Sequence, residues 1–169
     1  MNKEYKNPTP TVDTIINFED GIVLIKRKNE PIGWALPGGF VNEGEMVEVA
    51  AIREAYEETN LKIYLTDFLG VYSDPNRDPR QHNMSCVFLA IVEGFNPYLQ
   101  AKDDAAETMI LKVVRDCASG GFKFDKQFVD LEIVFDHRKI LNDYIKYLNA
   151  GQKPNPFIKS LSKFNRVGK

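Results

Sequence analysis

Two cysteines in 169 residues exclude a disulfide-stapled scaffold. Cys86 sits inside an apolar run and Cys117 lies near a Ser-Gly-Gly loop, so they form no Cys-x-x-Cys metal pair. This scarcity fits a reducing cytoplasm. No apolar run approaches the length of a membrane span, and the first residues, Asn2 to Pro8, hold no apolar signal region, so secretion is not expected. Neither sign of charge dominates: 24 acidic residues face 22 basic ones, for a net charge of −2. No global field therefore draws the chain to nucleic acid or an anionic membrane. Internal repeats and low-complexity tracts are missing too, apart from a biased tail. What remains, 43% hydrophobic with 27% charged residues, suits one globular domain with a sizeable core.

The informative stretch runs from Leu36 to Leu61. At 100° per residue from Met46, Glu54, Glu57 and Glu58 fall at i, i+3 and i+4, so three carboxylates share one narrow helical face. Like charges at that spacing repel by a few tenths of a kcal/mol per pair on a solvated helix, and by more where water is excluded. Arg53 can neutralise part of this charge from the flank. A hard divalent cation taking oxygen ligands would neutralise most of it, and magnesium is the natural candidate. Pro37-Gly38-Gly39, read as a turn, lacks Cβ atoms at two positions and can approach a ligand or offer the Gly38 carbonyl to a metal. Glu45 stands at the mouth of the helix, where it can accept from free N–H groups. On the opposite side, Val47, Ala51 and Ala55, with Ile52 and Tyr56 beside them, predict a separate buried stripe.

Written as spacing, the stretch is Gly39, five residues, Glu45, seven residues, then Arg53-Glu54-Ala55-Tyr56-Glu57-Glu58-Thr59-Asn60-Leu61. This resembles the Nudix box. At roughly one in fifteen for each of its six most demanding positions, coincidence at a given start is on the order of 10⁻⁷. One position departs, because the family usually has glycine where this chain has Asn60. Asparagine tolerates the left-handed conformation of a helix end, so the cap is expected to survive.

Elsewhere, Val12, Thr14, Ile16 and Phe18 alternate with polar residues, and Ile22 to Ile25 follow across Glu19-Asp20-Gly21, a β-hairpin signal. Lys26, Arg27 and Lys28 end its second strand, either as solvated edge charges or as contacts for an anionic substrate. Trp34 either packs or stacks on a base. Residues 62–73 read as extended, and the apolar run Cys86 to Val92 predicts a strand covered on both sides. A further strand is expected from Thr108 to Val114, a loop with local structure over 115–131, and a second helix from the N-cap Asp136 to Gly151. Between two strands lies Ser73-Asp74-Pro75-Asn76-Arg77-Asp78-Pro79-Arg80-Gln81-His82. Arginine forks match phosphate oxygens, so Arg77 or Arg80 can hold a diphosphate; equally, they can pair with Asp74 and Asp78 to stiffen the loop. Asp103, Asp104 and Glu107 read first as exposed acids. The basic residues of 152–169 read as a solvated tail.

That loop, the Thr9-Pro-Thr-Val-Asp13 start and Phe135-Asp136-His137 resemble segments of Nudix enzymes that act as ADP-ribose pyrophosphatases, over about residues 8 to 150. The resemblance implies an α/β/α sandwich with a mixed sheet, one Nudix domain over residues 1–151, and a basic tail over 152–169. It further implies hydrolysis of a nucleoside diphosphate linked to another moiety, with ADP-ribose giving AMP and ribose 5-phosphate. Magnesium, with manganese as a substitute, would be held by Glu54, Glu57 and Glu58 with the Gly38 carbonyl, and would activate a water. Arg53 would orient the glutamates, and Glu54 or Glu107 would take the proton. Trp34, Arg77 and Arg80 stand as substrate-binding candidates. The alternatives are a sanitiser of oxidised nucleoside triphosphates and a non-catalytic ADP-ribose sensor. Sensors of that kind carry a winged helix after the Nudix domain, for which the last eighteen or so residues are too few. Partners would be a small nucleotide and a second copy in a homodimer, with no DNA and no membrane.

Overall fold

The computed structural model describes residues 6–94 and 97–151. The basic tail, 152–169, lies outside them. In order, the elements are β1 (Thr9–Phe18), β2 (Gly21–Arg27), β3 (Trp34–Ala35), β4 (Gly38–Phe40), α1 (Val47–Thr59), β5 (Ile63–Tyr72), β6 (Asn83–Val92), β7 (Ala105–Arg115), β8 (Phe122–Phe124), α2 (Gln127–Asp130) and α3 (His137–Asn149). The sheet runs β5-β6-β1-β2-β7-β8, with β3 on β2 and β4 on β1. It is mixed, because β1 pairs with β6 in parallel while its other neighbours are antiparallel.

Side chains alternate across a strand, so β1 supplies both faces of the sheet. Val12 and Ile16 join Ala50, Ala51 and Ala55 of α1, whereas Ile15 joins Ile140, Leu141 and Tyr144 of α3. The apolar run on β6 divides likewise: Phe88 and Ala90 toward α1, Val87 and Leu89 toward α3. That is the α/β/α sandwich expected of the resemblance. No described helix is long and apolar enough to cross a membrane.

Three local expectations are corrected. Tyr56 is not beside the buried stripe but 44% exposed, with the Lys102 ammonium 5.3 Å from its ring. Ala50, unremarked in the sequence, takes the buried place, and small residues let α1 lie close on the sheet. Gly38 and Gly39, read with Pro37 as a turn, instead open strand β4, and the same lack of Cβ atoms explains why: a Cβ on Gly38 would lie 2.1 Å from the Val12 carbonyl oxygen. Asp136 occupies the N-cap position of α3, yet its side chain does not cap the helix; it meets Arg77 instead. Asn60 does adopt the left-handed cap, with φ 62°.

One consequence of β4 places the site. The second edge of β1 is divided, because β2 pairs only with Asn17 and Phe18, while β4 pairs with Thr11, Val12 and Asp13. The hairpin strands part, and the gap is filled by the glycine strand that leads into α1.

Candidate active site

The acidic face of α1 lies against β4. Gly39 approaches so closely that a Cβ there would sit 2.5 Å from the Glu54 carboxyl carbon. The Gly38 N–H donates to Glu58 at 2.9 Å. Glu58 is only 4% exposed, and burial, opposed by that one bond and aided by the nearby Glu54 charge, pushes its carboxyl up to about 8. Burial raises Glu54 as well, despite the Arg53 guanidinium beside it. In both carboxyls the neighbouring cations do not offset the cost of burial.

Arg53 occupies the flank. Its Nε and Nη2 donate to both oxygens of Glu45 at 2.8 Å each, and its Nη1 donates to Glu54 at 2.6 Å and Glu57 at 2.9 Å. Nη2 also reaches the Phe40 carbonyl at 3.0 Å, so one guanidinium ties the helix to β4. Glu45 therefore does not serve the free N–H groups of the helix. Its carboxylate accepts from the Asn42 N–H and from Arg53, whose hydrogen bonds hold it near 2, well below the usual carboxylate range. The fork of Arg53 offers a bidentate charged contact that a lone helix N–H cannot match.

Glu54, Glu57 and Glu58 open on one cavity of about 320 Å³, which Arg53, Gly38 and Gly39 also line. Arg77 and Arg80 reach it from the loop between β5 and β6, but in different states. The Arg77 side chain is 4% exposed and meets Asp13 at 3.1 Å and Asp136 at 2.8 Å. Arg80 is 42% exposed and paired with Asp78 alone. Glu107 lies outside the cavity lining, on β7, with the Lys26 ammonium at 3.4 Å. Trp34 is outside it too, packed on the α3 side of the sheet.

Part of the cavity wall is a buried polar node that the sequence did not assign as a unit. Asp13 accepts from Arg77, from the Ser85 hydroxyl at 2.5 Å and from His137 Nε2 at 3.2 Å. The His137 Nδ1 in turn accepts the Leu36 N–H at 2.9 Å, which fixes the ring proton on Nε2. Burial alone would raise the Asp13 carboxyl, but His137, Arg77 and Ser85 outweigh it and hold it at about 2. The only sequence signal for this node was that the Asp13, Arg77 and Asp136-His137 segments all carried the family resemblance.

The donor set fits a hard cation. Among the described residues no three His, Cys, Asp or Glu side chains converge into a ready-made cage, since Arg53 holds Glu54 and Glu57. Magnesium does not require one, because it is commonly bound by one or two carboxylates together with water and substrate phosphate. Glu58, buried and short of positive charge, with Glu54 beside it, supplies such a pair.

The chain is similar to several known proteins. A sequence model of the NUDIX domain matches residues 7–115. An ADP-ribose pyrophosphatase of Methanocaldococcus jannaschii is 43% identical over 152 residues, covering 86% of this chain and 78% of its own. Among solved structures, a MutT/nudix family protein from Enterococcus faecalis superposes with a TM-score of 0.75 at 28% identity, over 96% of this chain and 70% of that one. A bifunctional NMN adenylyltransferase/ADP ribose pyrophosphatase from Francisella tularensis, complexed with AMP and a Mn ion, gives 0.69 at 25% identity. The match covers 86% of this chain and 43% of the Francisella protein.

Proposed function

From the premise that this chain belongs to the NUDIX family and is a Nudix pyrophosphohydrolase, we propose that it hydrolyses ADP-ribose to AMP and ribose 5-phosphate, with magnesium or manganese at Glu54, Glu57, Glu58 and the Gly38 carbonyl. The observation that carries the reading is Glu58: a buried carboxyl beside a second raised carboxyl, in a cavity open to a ligand. The substrate follows the 43% identical pyrophosphatase.

The bound ion would neutralise the diphosphate and lower the pKa of the attacking water. Water oxygen bonds to one phosphorus, the bridging P–O bond breaks, and AMP and ribose 5-phosphate leave. Glu54 accepts the water proton: it lines the cavity and its raised pKa suits a base, whereas Glu107 is drawn to Lys26 outside it. Arg53 keeps Glu54 and Glu57 in register through its shared Nη1. In this reading the protein works in the cytoplasm.

The test is AMP release from ADP-ribose with magnesium, by the wild type and by Glu58→Gln. We expect the variant to lose about two orders of magnitude in kcat, the scale of a misplaced catalytic group. Equal turnover would remove Glu58 from the metal site. Assays with oxidised dGTP separate the sanitising alternative, which predicts the higher kcat/KM there.

A further inference from the structure

The connection from β6 to β7 reaches the cavity by way of the C-terminal end of α1. Asp103 and Asp104, just before β7, line the cavity. Ahead of them the chain is laid on the last turn of the acidic helix: the Gln100 N–H donates to the Thr59 carbonyl and the Lys102 N–H to the Glu58 carbonyl, each at 3.0 Å. A helix end leaves its last four carbonyls without partners, and this loop satisfies two of them. Leu99 packs against the core on the α1 side.

A second set of contacts centres on Asn60. Its Nδ2 donates to the Tyr98 carbonyl at 3.0 Å, and its Oδ1 accepts from the Lys102 ammonium. That ammonium is the one set over the Tyr56 ring. The last turn of α1 holds Glu57 and Glu58 but no basic residue, so the negative end of the helix dipole meets two more negative groups. Lys102 brings a cation to this end from the loop.

The φ of Asn60, 62°, is one that glycine adopts without strain. Glycine here would cap the helix equally well but would make neither side-chain bond. Tying the loop is thus what asparagine adds. At the cavity end, the Lys28 N–H donates to the Asp104 carbonyl at 3.0 Å, the Lys28 ammonium donates to the Asp103 carbonyl, and Asn29 Nδ2 donates to Asp104 Oδ1 at 3.2 Å. Lys28 and Asn29 are both exposed, so the firmer anchor is the one on α1.

We propose that Asn60 is a positioning residue which, through Lys102 and the Tyr98 carbonyl, holds residues 98–104 on the end of α1 and keeps this part of the cavity wall ordered before a ligand enters. A wall ordered in advance spares the ligand the entropy of ordering it. From the reading above the inference takes only that substrate binds in this cavity. Asn60 acts through the loop and touches no ligand.

The test compares Asn60→Gly, Asn60→Asp and Lys102→Met with the wild type. Asn60→Gly keeps the left-handed cap and should melt within about 4 °C of the wild type. Amide exchange at Gln100 and Lys102, followed by NMR without substrate or metal, should quicken about tenfold, as for the loss of one charged hydrogen bond. Lys102→Met should do the same. Asn60→Asp keeps the acceptor for Lys102 but not the donor to Tyr98, and should fall between. The KM for ADP-ribose should rise about fivefold in Asn60→Gly with kcat within about twofold, because the loop must then be ordered on binding while the glutamates stay in place. Lys123→Gln, on an exposed pair with Asp116 away from the cavity, should change nothing. Unchanged exchange in both Asn60→Gly and Lys102→Met overturns the proposal. Faster exchange with an unchanged KM also overturns it, by separating the loop from ligand binding, and so does a fall in kcat alone, which would place the effect on the helix. No AMP from the wild type overturns the proposed substrate instead, and exchange then decides whether Asn60 holds the loop.

Discussion

A buried carboxyl that no ion pair offsets should show itself in the pH dependence of stability, and Glu58 is the residue to watch. Unfolded it titrates near 4.5, and folded at about 8. Between those values the unfolded chain has released a proton that the folded chain keeps, so stability falls as pH rises through the window. Glu58→Gln removes the titration but keeps an acceptor for the Gly38 N–H. Urea unfolding in EDTA should therefore find the two proteins similar near pH 5 and the variant more stable by about 3 kcal/mol near pH 8. Parallel pH profiles would show that Glu58 is not shielded from water. The glycines offer a second contrast. At Gly38 an added Cβ meets the Val12 backbone, whereas at Gly39 it meets the movable end of Glu54. Gly38→Ala should cost about 3 kcal/mol by thermal or urea unfolding, as a backbone clash does. Gly39→Ala should leave stability within about 1 kcal/mol and lower kcat about 100-fold by displacing Glu54. The helix period put Glu57 and Glu58 on one face, but not the difference between them: one side chain is 41% exposed and the other residue almost wholly buried. That distinction comes from β4, which no periodicity in the sequence announced.

Local pattern carried the longer elements well. The β1–β2 hairpin, the β6 run and both long helices follow from alternation, apolar length and 3.6-residue spacing, all properties of neighbouring residues. β3 and β4, of two and three residues, have no room for a pattern and exist because a partner strand receives them. The loop between β5 and β6 shows the same limit in its side chains. In sequence Arg77 and Arg80 are equals three positions apart; in space one is enclosed by carboxylates from β1 and the start of α3, and the other is open. Their truncations should differ accordingly. Arg77→Ala leaves the buried Asp13 and the half-buried Asp136 without that cation and should cost about 4 kcal/mol in chemical denaturation. Arg80→Ala breaks a partly exposed pair and should cost under about 1 kcal/mol. Similar losses for the two would show that the loop is not pinned through Arg77.

For the molecule as a unit, we propose that residues 1–151 form the whole catalytic domain. α3 packs Ile140, Leu141 and Tyr144 into the core and ends at Asn149, with Gly151 turning the chain at φ 62°. A protein ending at residue 151 should keep kcat/KM within about threefold and melt within about 4 °C of the longer chain, the shift of less than 1 kcal/mol at this size. A larger fall would give residues 152–169 a structural part. The layering was legible from the apolar faces, but the strand order was not, because alternation says which side a residue faces and nothing about which strand lies beside it. β1 and β6 illustrate the point: they join in parallel along nine consecutive pairs, Thr9 with Asn83 through Asn17 with Ile91. Asp13 and Ser85, bonded across that seam, stand 72 positions apart. A ribosome delivers the first strand long before its mate, so a nascent chain carries one bare edge until residue 92 has cleared the exit tunnel. The time during which proteases, or another chain's free edge, can capture this protein is thus set by the pace of translation.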